Sequence, residues 1–196
     1  MKGRGLLSVL IGIGVLVSCL EVGPQIEEIE QSDKAPAEAH YLIAKGEHHA
    51  TLQYEPVEAA TLGFKAKFDS SAIYTSADPH NQEDVNKLMG LADCSTQHHT
   101  NSARFGWRWY QGALQIWAYC YVNGERSSQY MGNVSLGKYH NYRILLEDHA
   151  YVFWLDEQQL RMPRACTGKA DGYKLFPYFG GDEPAPHDVD VWVIEE

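Results

Sequence analysis

The side chains best suited to chemistry in this sequence lie between residues 104 and 130. Apolar and polar residues alternate there as in β-strands, and Gln111-Gly112 and Asn123-Gly124 are signals for two-residue hairpin turns. One face of the predicted sheet then carries Arg104, Arg108, Gln115, Trp117, Tyr119, Tyr121, Arg126, Ser128 and Tyr130. The predicted cross-strand pairs are Arg108 with Gln115, Gly106 with Trp117, Arg104 with Tyr119, Tyr121 with Arg126, Tyr119 with Ser128, and Trp117 with Tyr130.

This combination of groups is typical of a surface that binds saccharides. Aromatic rings stack on the apolar faces of sugars, and planar guanidiniums hold carboxylate or sulfate through paired hydrogen bonds. The local positive charge opposes the formal net charge of −10 for the whole chain. We therefore expect a polysaccharide partner, preferably an anionic one. A purely structural interpretation stays open, because Tyr and Trp are good strand formers and Arg is common on solvated faces.

The other face of the same strands predicts a hydrophobic core. Its third strand places Glu125, Ser127 and Gln129 on that face, so we expect this strand to shift or to lie at a sheet edge. A short helix is predicted at Asp84–Leu91. Further strands are predicted at Phe64–Tyr74, Tyr139–Leu146, Tyr151–Leu155, Leu160–Arg164, Tyr173–Phe179 and Asp188–Ile194. Many short strands without covering helices indicate an all-β sandwich; a jelly roll is the preferred architecture and an immunoglobulin-like sandwich is the competitor.

Two resemblances bear on fold and activity. The run from Tyr173 to Gly181, followed by Ala185 to Ile194, resembles the closing strands of bacterial laminin-G/concanavalin-like domains, which implies a jelly-roll fold. The order of the segments Ser102–Arg108, Gln115–Trp117 and Tyr173–Gly180 resembles jelly-roll alginate and glucuronan lyases. That second resemblance implies β-elimination on a glycan of uronic acids.

The sequence departs from the lyase pattern at Trp117, which stands where those families carry their catalytic His. β-Elimination needs a group that neutralises the carboxylate, a base and an acid. If the chain is a lyase, the candidates for these roles are His98, His99, Arg104, Gln115, Tyr119 and Tyr178. Because of the departure, we favour a non-catalytic protein.

The other histidines, aspartates and cysteines indicate structural roles. Neighbours in a strand point to opposite faces, so the adjacent pairs His48-His49 and His98-His99 cannot chelate one ion without a turn. His98-His99 lies in a loop that leads into the Arg strand and could supply a base or a ligand there. No metal site is predicted, although Asp182 or Asp188 could hold a structural calcium. No cofactor is expected, and the negative charge disfavours nucleic acid as a partner. Cys120 falls on the apolar strand face, so Cys94 and Cys166 are the expected disulfide of an exported protein.

The first residues predict export. A basic start is followed by an apolar run, Leu6 to Val17, that is too short to span a membrane. Leu16-Val17-Ser18-Cys19 resembles the lipobox of bacterial lipoproteins, which implies cleavage before Cys19 and lipid, such as palmitate, on that residue. Leu20 in place of Asp favours the outer membrane, at its periplasmic face or at the cell surface.

The predicted organisation is a signal peptide over residues 1–18, a lipidated flexible tether over 19–39 and a β-sandwich over 40–196. Three functions follow from these patterns. The first is a membrane-anchored lipoprotein that binds polysaccharide, and the second is a polysaccharide lyase that uses the same face. The third is a structural or adhesive surface protein whose aromatic and Arg-rich face contacts another surface protein.

Overall fold

The computed structural model describes residues 36–51 and 53–196, and almost all of their regular structure is β. Two short 3₁₀ turns, Ser70–Ala72 and Pro79–Glu83, are the helical elements of these ranges. Neither of them is long or apolar enough to span a membrane. In chain order the strands are Glu38–Ile43 (β1), Pro56–Ala59 (β2), Thr61–Phe68 (β3), Asn86–Ala92 (β4), Ser102–Tyr110 (β5), Ala113–Val122 (β6), Glu125–Val134 (β7), His140–Glu147 (β8), Ala150–Leu155 (β9), Gln158–Pro163 (β10), Ala170–Leu175 (β11) and Val189–Glu195 (β12).

The strands form two antiparallel sheets of six strands each. We call the sheet with the order β1-β12-β3-β8-β9-β10 the back sheet, and the sheet with the order β2-β11-β4-β5-β6-β7 the front sheet. Neighbours such as β1 and β12, or β2 and β11, are far apart in sequence, because the chain crosses repeatedly between the sheets. This connectivity is typical of a jelly roll. The predicted all-β jelly-roll sandwich is confirmed.

Two hairpins, β5–β6 and β6–β7, determine which side chains share a surface of the front sheet. Gln111 and Gly112 have φ angles of 52° and 75°, and Asn123 and Gly124 have 52° and 86°. Both central residues of each turn therefore have the positive φ that a two-residue hairpin turn requires. All the predicted cross-strand pairs of these strands are confirmed, from Arg108 opposite Gln115 to Tyr121 opposite Arg126.

The core lies between the two sheets and is rich in aromatic rings. Phe105 of the front sheet contacts Phe64, Tyr142 and Phe153 of the back sheet, with ring centroids 5.8, 5.0 and 5.1 Å away. All four side chains are at most 1% exposed. Each such burial is worth about 2 kcal/mol relative to an exposed ring. β7 is the edge strand of the front sheet, as its mixed pattern predicts, and its residues 125–130 are exposed on both faces.

The predicted helix at Asp84–Leu91 is wrong, because the chain there forms β4. Six of the seven β4 residues are buried, so the strand lacks the alternation that identifies a half-buried strand. Its pairing with β5 also shifts between Lys87 and Gly90. Gly90 permits the close approach of the two strands, since a Cβ there would lie 2.2 Å from the Ala103 carbonyl oxygen. The strand predicted at Phe64–Tyr74 ends earlier than expected, at Phe68.

A buried ion pair and a disulfide fix the loop between β4 and β5. Asp93 is fully buried and accepts hydrogen bonds from Arg164 Nε at 2.7 Å, from the Tyr151 hydroxyl at 2.9 Å and from the Cys94 amide at 2.7 Å. Cys94 is bonded to Cys166, while the Cys120 thiol is free and buried in the core. These contacts connect the start of the loop to the segment between β10 and β11.

Candidate functional site

A cavity of about 460 Å³ opens on the face of the front sheet that is turned away from the core. Its walls come from β4, β5, β6 and β7, from the loop between β4 and β5, and from the segments that flank β2 and β11. Seven of the residues predicted to act as binding or catalytic groups line it: His98, His99, Arg104, Tyr119, Tyr121, Arg126 and Tyr178.

Arg104 is the most deeply placed cation of this cavity. The residue is 8% exposed, and its Nη2 donates a hydrogen bond to the Phe176 carbonyl oxygen at 3.1 Å. Its Nε is buried and has no hydrogen-bond partner in the structure. Burial lowers the pKa of the Arg104 guanidinium to about 10. A buried donor without a partner is costly, and Arg104 lines the cavity, so an anion bound there would offset part of the cost of burying its guanidinium.

Lys87 supplies a second cation, which was not predicted from the sequence. Its Nζ lies 5.0 Å from the centre of the Tyr119 ring. Burial lowers the pKa of Lys87 to about 8, and the charge of Arg104 adds to the effect. Gly180 leaves room for this side chain, because a Cβ there would lie 2.4 Å from Nζ. One signal for Lys87 was available: it is the one charged residue in the apolar run Val85–Ala92.

Tyrosine rings form the walls beside these cations. Burial raises the pKa of Tyr119 to about 12, and a hydrogen bond with Tyr121 adds to the rise. Tyr178 is fixed by backbone hydrogen bonds with Lys87 in both directions, at 2.8 and 3.0 Å. The ring of His48 stacks on Tyr178 and the ring of His49 meets its edge, with centroids 5.3 and 4.9 Å away. The tyrosine faces are therefore held in place before any ligand arrives.

The predicted pair His98-His99 lies at the rim, in the loop that Asp93 fixes. Burial lowers the pKa of His98 to about 4, with further contributions from His99 and Arg104. His98 Nδ1 lies 2.8 Å from the hydroxyl of Tyr173, which also accepts the backbone amide hydrogen of His98 at 3.2 Å. The imidazole is thus neutral at neutral pH and acts as a polar contact, without adding positive charge.

The remaining predicted residues lie on the same sheet face but outside the cavity. Arg108 Nε donates to Gln115 Oε1 at 2.8 Å, and Nη1 donates to the Glu83 carbonyl oxygen at 2.5 Å. The guanidinium carbon of Arg108 lies 4.5 Å from the centre of the Trp117 ring. The side chains of Arg108 and Gln115 therefore have each other as hydrogen-bond partners. Tyr130, on the edge strand β7, lies next to Trp117 of β6. The predicted residues share one face of the sheet, but the Arg104 end forms a cavity, whereas at the Arg108 end the guanidinium is already hydrogen-bonded within the protein.

The site contains no group of three ligands placed to hold a metal ion. Within residues 36–51 and 53–196, the one such group is Asp93, Cys94 and Cys166. Its carboxylate is paired with Arg164, and its two sulfur atoms are bonded to each other. Asp182 lines the cavity, whereas Asp188 accepts the Lys45 amide hydrogen at 2.8 Å.

No family model and no curated protein matches this sequence. Among solved structures, the chain is similar to alginate lyase AlyC3, with a TM-score of 0.54, 9% identity and coverage of 81% of this chain and 74% of that one. It is also similar to a prokaryotic β-1,3-1,4-glucanase from a mouse hindgut metagenome, with a TM-score of 0.48, 11% identity and coverage of 81% and 79%. A third is Rv0315, a pseudo β-1,3-glucanase of Mycobacterium tuberculosis, with a TM-score of 0.45, 18% identity and coverage of 81% and 74%.

The likeness to the lyase places the described residues among the jelly-roll β-sandwiches. At 9% identity it shows a shared fold and says nothing about activity.

Proposed function

We propose that the β-sandwich binds an anionic polysaccharide in the cavity around Arg104. The observation that carries this proposal is the buried guanidinium whose Nε lacks a partner, with Lys87 beside it and tyrosine rings around both. A carboxylate or sulfate would compensate the two desolvated cations, and sugar rings would stack on the tyrosines. Because an alginate lyase shares this fold, a polyuronate is one of the ligands to test.

Affinity electrophoresis in gels that contain polymannuronate, polygalacturonate, a sulfated galactan or neutral dextran tests this proposal. We expect retardation by at least one polyanion and none by dextran. Arg104→Lys keeps the charge but removes the planar donors, so retention should fall about tenfold or more, since a hydrogen bond to a charged group is worth about 1.5–3 kcal/mol.

The matched control is Arg143→Lys. Arg143 belongs to the back sheet, where its guanidinium lies over Trp154. Thermal unfolding of each variant shows whether it folds. A folded Arg104→Lys protein with unchanged retention on every polyanion would refute the proposed site, and absence of retention for the unchanged chain would refute the proposed function.

The second candidate function is β-elimination on a uronic acid glycan, and Lys87 is the observation that favours it. A general base is most effective when its pKa is near the ambient pH, and that of Lys87 is about 8. In such a reaction the neutral Lys87 amine takes the C5 proton, and the C–H electron pair forms the C4–C5 double bond. The C4–O bond then breaks, and Tyr119 donates its proton to the leaving oxygen while Arg104 neutralises the carboxylate.

The lyase proposal is tested by incubating the protein with polymannuronate and polygalacturonate and following ultraviolet absorbance. Unsaturated uronide products absorb, whereas binding alone leaves the absorbance constant. Tyr119→Phe removes the proposed acid and should abolish product formation. If the glycan retards the protein in the gel but no product forms over a long incubation, the binding proposal stands and the lyase proposal is refuted.

We also propose that this chain is an outer-membrane lipoprotein anchored through Cys19. The lipobox-like residues 16–19, the predicted signal peptide and residues 19–35 of the predicted tether lie outside the described residues, while Glu38 and Ala39 belong to β1. A tether of 19–39 would let the domain move roughly 25 Å from the membrane if it behaves as a random coil. Detergent phase partitioning and palmitate labelling test the anchor: we expect both signals in the unchanged protein and neither in Cys19→Ser. Equal partitioning of the two proteins would contradict the anchor.

A further inference from the structure

Two exposed aromatic rings lie on either side of the cavity. Tyr54 is 72% exposed and Tyr130 is 46% exposed, and within residues 36–51 and 53–196 no other Phe, Tyr or Trp is as open to solvent. Single exposed rings are common on protein surfaces, but these two lie on the face that carries the cavity, where sugar rings could stack on them. The predicted face included Tyr130, while Tyr54 was not anticipated.

The order of the front sheet places these rings at opposite edges. Tyr54 lines the cavity just before β2 and meets the edge of the Tyr173 ring of β11, with centroids 5.4 Å apart. Tyr130 belongs to β7, at the other end of the order β2-β11-β4-β5-β6-β7. Five strand spacings of about 4.8 Å separate the edges, which gives a span of roughly 24 Å across the strands.

Tyr130 is held as a fixed platform. Its hydroxyl donates to Asn133 Oδ1 at 3.0 Å, and its ring packs against Trp117 with centroids 5.7 Å apart. Trp117 is itself covered by the Arg108 guanidinium. The residue that departs from the lyase pattern thus supports an aromatic platform beside the cationic cavity.

We infer that the ligand is the interior of a long polysaccharide chain, which crosses the strands of the front sheet from Tyr54 to Tyr130 with one acidic residue over Arg104. This inference rests on the proposed function and adds the length and direction of the ligand. Tyr54 lines one end of the cavity, whereas Tyr130 lies outside it, so a ligand that fills the cavity alone would contact Tyr54 without reaching Tyr130. Rings at both ends of the face therefore favour a chain long enough to cover both. Affinity must then increase with chain length until both rings are covered.

Isothermal titration with oligomannuronates and oligogalacturonates, from dimers to chains longer than the span, tests the inference. We expect Tyr130→Ala and Tyr54→Ala each to weaken binding of long chains about fivefold, or about 1 kcal/mol. Tyr130→Ala should leave dimer binding unchanged, because Tyr130 lies outside the cavity. Tyr139→Ala is the matched control, because this ring lies on the back sheet over Lys67. It should leave all affinities unchanged.

The outcomes separate the two proposals. If neither series binds to the unchanged chain, the proposed function fails. If dimers bind as tightly as long chains, or if the two tyrosine variants bind long chains as tightly as the Tyr139→Ala protein does, the function stands and the extended ligand is refuted.

Discussion

The charge of Lys87 makes ligand binding dependent on pH. Because the pKa of Lys87 is about 8, the ammonium is about 90% charged at about pH 7 and about 10% charged at about pH 9. If the anionic ligand binds only the charged form, the affinity falls about tenfold over this interval, or about 1.4 kcal/mol. Weaker binding at higher pH is the expected sign, since the ligand stabilises the protonated lysine.

Three of the neighbouring groups have pKa values outside this interval. The pKa of Arg104 is about 10 and that of Tyr119 is about 12, so both keep their protons, while the pKa of His98 is about 4 and its ring stays neutral. Uronate carboxylates remain ionised throughout. His49 and His99 also line the cavity, so comparison with a Lys87 variant is needed to assign the titration to the lysine.

The assay is isothermal titration with polymannuronate or polygalacturonate at constant ionic strength, with Lys87→Met as the variant and Lys65→Met as the control. Lys65 lies on the back sheet, where it pairs with Glu196 at 3.1 Å. The Lys87→Met protein should bind more weakly at about pH 7, and its affinity should no longer change with pH. An equal loss of affinity with pH in both variants would locate the titration in another group and refute this reasoning.

Three stability measurements test the loop that carries His98. Asp93→Ala leaves the buried guanidinium of Arg164 without its partner, so urea unfolding should show a loss of about 3–5 kcal/mol in the free energy of unfolding; a loss below about 1 kcal/mol would contradict the role of the pair. Reduction of Cys94–Cys166, which closes a separation of 72 residues, should cost about 4 kcal/mol, and an unchanged urea midpoint would count against it. Because the pKa of His98 is about 4 in the folded protein and about 6.5 in an unfolded chain, the unfolded state binds more protons between these values, so stability should fall as the pH falls. His98→Phe should reduce that slope, and an unchanged slope would refute the assignment.

The face of the front sheet on which each side chain lies could be predicted, because it depends on short turn sequences within β5–β7. Asn123-Gly124 and Gln111-Gly112 determine two tight turns, and the two-residue period of a strand then assigns every side chain between them to a face. The segment Asp84–Leu91 contains no comparable turn sequence. Its strand is buried and irregular, so neither alternation nor a turn identifies it.

The position of the cavity on that face could not be predicted, because its walls come from distant parts of the chain. Tyr178 follows β11, Lys87 precedes the bulge of β4, and Tyr54 lies before β2. Arg108 looked equivalent to Arg104 in sequence, but the Glu83 carbonyl oxygen of a 3₁₀ turn satisfies it. Which guanidinium stays available is therefore decided by tertiary packing.

The protonation state of Lys87 also separates the two candidate functions, because binding and turnover should change with pH in opposite directions. A binding protein needs the ammonium, so occupancy decreases as the pH rises through about 8. A lyase that uses Lys87 as its base needs the neutral amine, so turnover at saturating glycan increases over the same interval. The two requirements oppose each other in one side chain, because a bound uronate raises the lysine pKa and thereby suppresses the base. If the cavity binds its anion most tightly at neutral pH, Lys87 is poorly prepared to act as a base there, and this opposition is the reason we propose binding before catalysis.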